Sequence, residues 1–187
     1  MIGKSFSLVL SFSLLVSGCV SYAPAIRDAK PLQAGEGVVY GRFKQLPAFN
    51  SLQLGLVLKS ENTGKDYIIK FSKHRPLVAI SVPPGNYSIN KLICATGEGF
   101  KSHYIATSAS LCFTVMPGHA YYVGDYLGET SSEVDGTFVN YKWSLVSKKN
   151  NFMESTKEMR SYYPFLDNTI IHDAFENADI LSMEYVQ

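Results

Sequence analysis

Ser51-Leu52-Gln53-Leu54-Gly55-Leu56-Val57-Leu58-Lys59-Ser60-Glu61-Asn62-Thr63-Gly64-Lys65-Asp66-Tyr67-Ile68-Ile69-Lys70-Phe71-Ser72 decides the fold class. Leu52, Leu54, Leu56 and Leu58 recur every second residue, the period of a strand with one buried face. Glu61-Asn62-Thr63-Gly64 is polar, short and ends in glycine, the residue that most readily takes positive φ, so it reads as a hairpin turn. The return strand sets Tyr67, Ile69 and Phe71 against Asp66, Lys70 and Ser72. Two strands alone bury too little to stand, so further strands must follow.

They do follow. Upstream, Val38 to Phe43 reads as a first strand; downstream comes Leu77-Val78-Ala79-Ile80-Ser81-Val82. Pro83-Pro84-Gly85-Asn86 then suits a type II turn, proline presetting φ and glycine accepting the positive value. The phase of the strand after it slips near Asn90, which predicts a bulge. A loop is expected from Gly97 to Ser108. Leu111, Phe113 and Val115 alternate up to Met116-Pro117-Gly118-His119, a second turn of the same chemistry. His119 to Tyr126 and Val139 to Leu145 give two more strands, joined by the polar stretch Gly128 to Gly136. Helical signals come only at the end. Asn151 with Glu154 resembles a capping box opening a helix to about Ser161. A second helix is expected over Asn168 to Ala178, where Ile170, Ile171, Ala174, Phe175 and Ala178 fall on one stripe. The expected fold is mainly β: an antiparallel sandwich of about seven to eight strands with two short C-terminal helices.

Two quoted runs carry a family resemblance. Ile80-Ser81-Val82-Pro83-Pro84-Gly85-Asn86-Tyr87-Ser88-Ile89 and Phe113-Thr114-Val115-Met116-Pro117-Gly118-His119-Ala120-Tyr121-Tyr122-Val123-Gly124 resemble the prealbumin-like (transthyretin-like, carboxypeptidase-regulatory-like) sandwich domains. The resemblance covers roughly residues 36–147 and implies a β-sandwich of the kind found in bacterial envelope lipoproteins. That group has no shared catalytic residues to transfer. A general immunoglobulin-like sandwich is the competing label.

The N-terminus carries a second signal. After Lys4 no charge occurs until Arg27, and the run Phe6 to Val16 is apolar, the layout of a secretory signal. It is too short to span a bilayer, which takes about 20 apolar residues. It ends in Leu15-Val16-Ser17-Gly18-Cys19, which resembles the lipobox of bacterial lipoproteins. The resemblance implies cleavage after Gly18 and diacylglycerol on the Cys19 thiol, with an acylated (palmitate-type) N-terminus. Two or three acyl chains anchor stably where one does not. The expected organisation is a signal peptide over 1–18, a lipidated tether over 19–35 containing Pro24 and Pro31, a sandwich over 36–148 and a helical extension over 149–187. The expected address is the bacterial cell envelope, with the outer membrane favoured because Val20 and Ser21, not aspartate, follow Cys19.

Loss of residues 1–18 removes one charged side chain, Lys4, and leaves sixteen basic and sixteen acidic side chains. That balance argues against nucleic acid, which selects a basic face, and supplies no polybasic patch for acidic lipids. Cys94 and Cys112 fall in consecutive predicted strands. A bridge between them would close a loop of about 17 residues and contribute roughly 3 kcal/mol.

No motif marks chemistry. His74, His103, His119 and His172 are scattered, without HxH, HxxxH or HExxH spacing, and no GxSxG elbow is present. Glu129, Glu133 and Asp135 read as solvated loop acids, without the ligand spacing of a calcium loop. No catalytic residue, metal ligand or cofactor is expected. The aromatic residues Tyr122, Trp143, Tyr162 and Tyr163 are the candidate contact surface, either for an envelope protein or as the lining of a small-ligand or glycan pocket between sheet and helices. The loops Gly97–Ser108 and Gly128–Gly136 are the other contact candidates. The functional expectation is a non-catalytic structural or protein-interaction module held at a membrane through lipid on Cys19.

Overall fold

The computed structural model describes residues 26, 35–46, 52–72, 74–96, 103–136 and 138–175; the signal, Cys19 and most of the tether lie outside them. Among the described residues, nine strands form two sheets. β1 (Gly37–Leu46), β4 (Leu77–Val82), β7 (His119–Asp135) and β8 (Phe138–Lys149) make one sheet in the order β4-β1-β7-β8, with β9 (Ile170–Asp173) added against β7. β2 (Leu52–Ser60), β3 (Asp66–Phe71), β5 (Gly85–Thr96) and β6 (His103–Val115) make the other, in the order β3-β2-β5-β6. The mainly β sandwich is as the alternation requires, though not wholly antiparallel: β7 runs parallel to both β1 and β9.

The β2–β3 hairpin closes as its turn chemistry demands, with Gly64 at φ +68° and the Gly64 amide donating to the Ser60 carbonyl. Inward residues of both sheets meet in one core. Val39, Ile80, Val82, Tyr121 and Val123 from one side face Leu56, Leu58, Ile69, Ile89 and Leu111 from the other, all 4 % exposed or less. Each such aliphatic side chain contributes about 1.5–3 kcal/mol on burial.

Both proline–glycine turns carry the chain from one sheet to the other. At Met116–His119, Gly118 has φ +73° and the His119 amide donates to the Met116 carbonyl at 3.3 Å, as in a type II turn. At Pro83–Asn86, Gly85 lies at φ +151°, far from the +80° of that turn type, and is already the first residue of β5, paired with Val115. The phase slip at Asn90 is a register shift: Ile89 and Lys91 pair with Leu58 and Val57 on β2, leaving Asn90 over. Opposite, β6 carries 107–110 unmatched between Ala106 and Leu111.

That ladder rules out the bridge expected between Cys94 and Cys112. Cys94 lies opposite His103 and Cys112 opposite Ser88. Six residues of strand, about 20 Å, separate the two positions, and a disulfide needs Cα atoms within about 7 Å.

Three other expectations change. β6 begins at His103, so the loop drawn from Gly97 to Ser108 is half strand. The polar stretch Gly128 to Gly136 is no loop: β7 continues to Asp135 and folds back at Gly136 into β8, pairing Ser132 with Tyr141 and Val134 with Val139. β1 stops pairing at Glu129, so among the described residues the last part of β7 and the start of β8 pair only with each other. Finally, no second α-helix occurs among the described residues, where Ile170–Asp173 is strand β9. β8 pairs with β7 only from Asp125 onward, which leaves the amides and carbonyls of His119 to Tyr122 without a ladder on that side. Such groups must be satisfied when buried, and β9 satisfies them, its two β-branched isoleucines suiting a strand.

Helix α1 (Phe152–Tyr162) begins where expected, but no side-chain bond from Asn151 caps it. With the 3₁₀ turn Pro164–Leu166 it covers the outer face of the first sheet. Met159, Tyr163 and Leu166 close over Val38, Tyr40, Leu77, Ala79, Ala120 and Tyr122.

Candidate functional site

Strand alternation along β7 breaks once, and the break builds the polar site. Tyr121 and Val123 face the inter-sheet core while Tyr122 faces the helix. Regular alternation would send residue 125 into the core. Instead the parallel register jumps, Tyr40 opposing Tyr122 but Arg42 opposing Asp125. Gly124, at φ +108°, takes up the extra residue, so Asp125 points to α1 and Tyr126 returns to the core.

Asp125, 7 % exposed, then meets donors alone. Its Oδ1 accepts from the Tyr122 hydroxyl at 2.9 Å and from Ser155 Oγ at 2.9 Å. Its Oδ2 accepts from Asn151 Nδ2 at 3.0 Å, and Arg42 Nε lies 3.6 Å away. Arg42 also donates through Nη2 to Glu158 on α1. The Tyr40 hydroxyl and Thr156 Oγ1 are 2.6 Å apart. Burial pushes the phenols of Tyr122 and Tyr40 far above their ordinary value of 10, so Tyr122 remains a neutral donor. Donation from Nδ2 holds the Asn151 side chain at Asp125, and its Oδ1 accepts from no helix amide, so the expected capping box is missing. Chemically this is a latch: both carboxylate oxygens are occupied and the nearby serine is fully buried.

The structure brings two of the four scattered histidines together. Parallel pairing of β9 with β7 sets Tyr121 opposite His172 and His119 opposite Ile170. His119 Nδ1 lies 2.8 Å from His172 Nε2, the ring planes 12° apart and the centroids 5.1 Å apart. The nitrogens are far closer than the centroids, so the rings meet edge to edge and share one hydrogen. Tyr121 stacks on His172 at 4.8 Å, and Phe113 on Tyr121 at 5.9 Å. No local spacing signals a pair formed across a strand pairing that only the tertiary fold creates. Among the described residues no group of three or more His, Cys, Asp or Glu side chains converges on a metal position.

Burial, and then the neighbouring His119, hold the His172 imidazole below its ordinary value of 6.5. A depressed imidazole takes its proton in the unfolded chain before it does so in the folded one. Stability is therefore full above about pH 6.5 and declines as pH falls below it. The thermal midpoint is expected to drop between pH 7.5 and pH 5.5, and the drop to shrink in His172→Gln. An equal drop in parent and variant would refute the assignment.

Of the four aromatic residues expected at a contact surface, Tyr122 and Tyr163 are buried beneath α1 and the 3₁₀ turn, and Tyr162 is 53 % exposed. The side chain of Trp143 lies outside the described residues. The buried pair is occupied with the chain's own interior. The sequence signal for the latch was Gly124, a glycine inside a strand, which commonly marks a bulge. Compared with known proteins, the chain matches no family model and no curated protein.

Proposed function

We propose that this chain is a bacterial envelope lipoprotein of the prealbumin-like kind, anchored by acyl chains on Cys19, preferentially at the outer membrane. It acts there as a non-catalytic structural or protein-interaction module. The observation that carries the reading is a juxtaposition along the chain. Leu15-Val16-Ser17-Gly18-Cys19 has the residues that lipid transfer and cleavage require. Seven residues later Ile26 is docked, its amide donating to the Ala79 carbonyl of β4 at 2.9 Å. Seven residues extend at most about 25 Å, so the folded body is held at the membrane surface. Two-sheet architecture with proline–glycine arches between the sheets supports the prealbumin-like label.

Confinement to a surface raises the effective concentration of the module toward other envelope components. The contact element we favour is the tip of the β7–β8 ribbon around Gly136, beyond the reach of β1. A ligand pocket between sheet and helix is the weaker reading, since Tyr40, Tyr122, Met159 and Leu166 all occupy that space and are fully buried in it.

Cys19→Ser tests the anchor. The parent is expected to fractionate with membranes and to carry the mass of a diacylglyceryl group with an N-acyl chain; the variant should keep its signal and leave the membrane fraction on cleavage or washing. Identical masses and partition for both would end the proposal.

A further inference from the structure

Resting on the anchoring reading, we propose that the outward stripe of α1, Met153, Lys157 and Arg160, lies on the phosphate-bearing surface of the bilayer. This stripe fixes which way the sandwich faces. Ile26 packs on the same cluster that α1 covers, at the β4 edge of the sheet. Ile26, the described residue nearest Cys19 along the chain, therefore sits on the helix side. A helix is about 10 Å across, and the segment from Cys19 to Ile26 reaches about 25 Å when extended. The lipid attachment can thus lie level with the outer surface of α1.

The helix offers what a headgroup layer takes up. Ser155 and Met159, four residues apart, face the sheet. Met153, Lys157 and Arg160 follow the i, i+4, i+7 spacing of one face, and that face looks away from the protein. Met153 is 78 % exposed, the most exposed of the large apolar side chains described. Lys157 and Arg160 are exposed beside it, followed by Pro164. An apolar tip flanked by two cations suits the acyl–phosphate boundary, each cation near an anionic surface adding to the attraction. Glu154 is the one acid flanking the stripe, while Glu158 is engaged by Arg42. Two cations are too few to bind a vesicle unaided, and acyl chains on Cys19 make that unnecessary: the stripe orients what the lipid already holds.

The test reads methionine oxidation on the lipidated full chain in vesicles of phosphatidylglycerol and phosphatidylethanolamine. Chloramine-T stays in water, and the sulfoxides are counted by mass spectrometry as the ratio of Met153 to Met116. Met116 is 41 % exposed on the Pro117–Gly118 arch, off the stripe, and Met159 is fully buried, so the two serve as open and closed references. Relative to the unacylated Cys19→Ser chain in solution, the ratio is expected to fall about tenfold on vesicles. Lys157→Glu with Arg160→Glu should restore it without releasing the protein. A ratio unchanged on vesicles, with the acyl mass present and the protein sedimenting with lipid, overturns the orientation and leaves the anchor standing. A missing acyl mass overturns the anchor itself, and the orientation with it. Protection of Met153 in the Cys19→Ser chain without vesicles names a second copy as the occupant and overturns the bilayer.

Discussion

Asp125→Ala is expected to lower folding stability by about 3–5 kcal/mol, the cost of leaving a buried ionic network without its acceptor. Tyr122, Ser155 and Asn151 each donate to this carboxylate, and Arg42 lies against it. Removing it leaves Ser155 and Asn151 without their acceptor, the Tyr122 hydroxyl with only the 3.4 Å bond to the Lys149 carbonyl, and Arg42 with one counter-charge, Glu158, in place of two. Each buried donor so left costs about 1–3 kcal/mol, more where it is charged. For a body of this size the midpoint of thermal unfolding should fall by roughly 10 °C. The loss should be felt first at α1, whose attachment runs through Ser155 and Asn151. Amide exchange over 152–162 should therefore accelerate before exchange in β2 or β5. Asp125→Asn keeps the shape but offers one acceptor oxygen and presents an amide donor to other donors, so an intermediate loss is expected. Urea unfolding that moves by less than about 1 kcal/mol in the alanine variant would show the latch to be ornamental.

The latch also shows where sequence reading stops. Strands whose inward residues alternate against polar ones were legible, since period two follows from the pleat alone. So were the proline–glycine arches, the slip at Asn90 and the start of α1, all set by residues close in the chain. Elements made by distant partners were not. Glu129 to Asp135 is polar but for Val134, too little to separate a ribbon strand from a loop; only pairing with β8 makes it a strand. Ile170, Ile171, Ala174 and Phe175 fit a helical stripe, yet the open edge of β7 takes Ile170–Asp173 as strand. The histidine pair follows from that same edge, so the error about β9 also hid His119 beside His172. Cys94 and Cys112 suggested a bridge because a loop was expected from Gly97 to Ser108, which sets the two facing each other across it. β6 already begins at His103, so Cys94 pairs there instead.

Gly124→Ala is the other variant expected to cost much, because two residues of β7, Val123 and Gly124, stand where β1 has Gly41 alone. The glycine takes the conformation that lets Val123 and Tyr126 both reach the core while Asp125 between them faces α1. The variant separates two causes. At φ +108° a side chain is strained, and its Cβ would sit 2.7 Å from the Phe175 ring. Strain and overpacking together predict a loss of about 2–4 kcal/mol. That ring packs against Tyr122 and Tyr126, 6.5 and 6.2 Å between centroids, and is not free to swing away. Combining Gly124→Ala with Phe175→Ala removes the collision and leaves the strain, so the double variant should be more stable than the sum of the two losses implies, by about 1 kcal/mol or more. Strict additivity would mean that Phe175 yields without cost and that backbone conformation alone demands glycine.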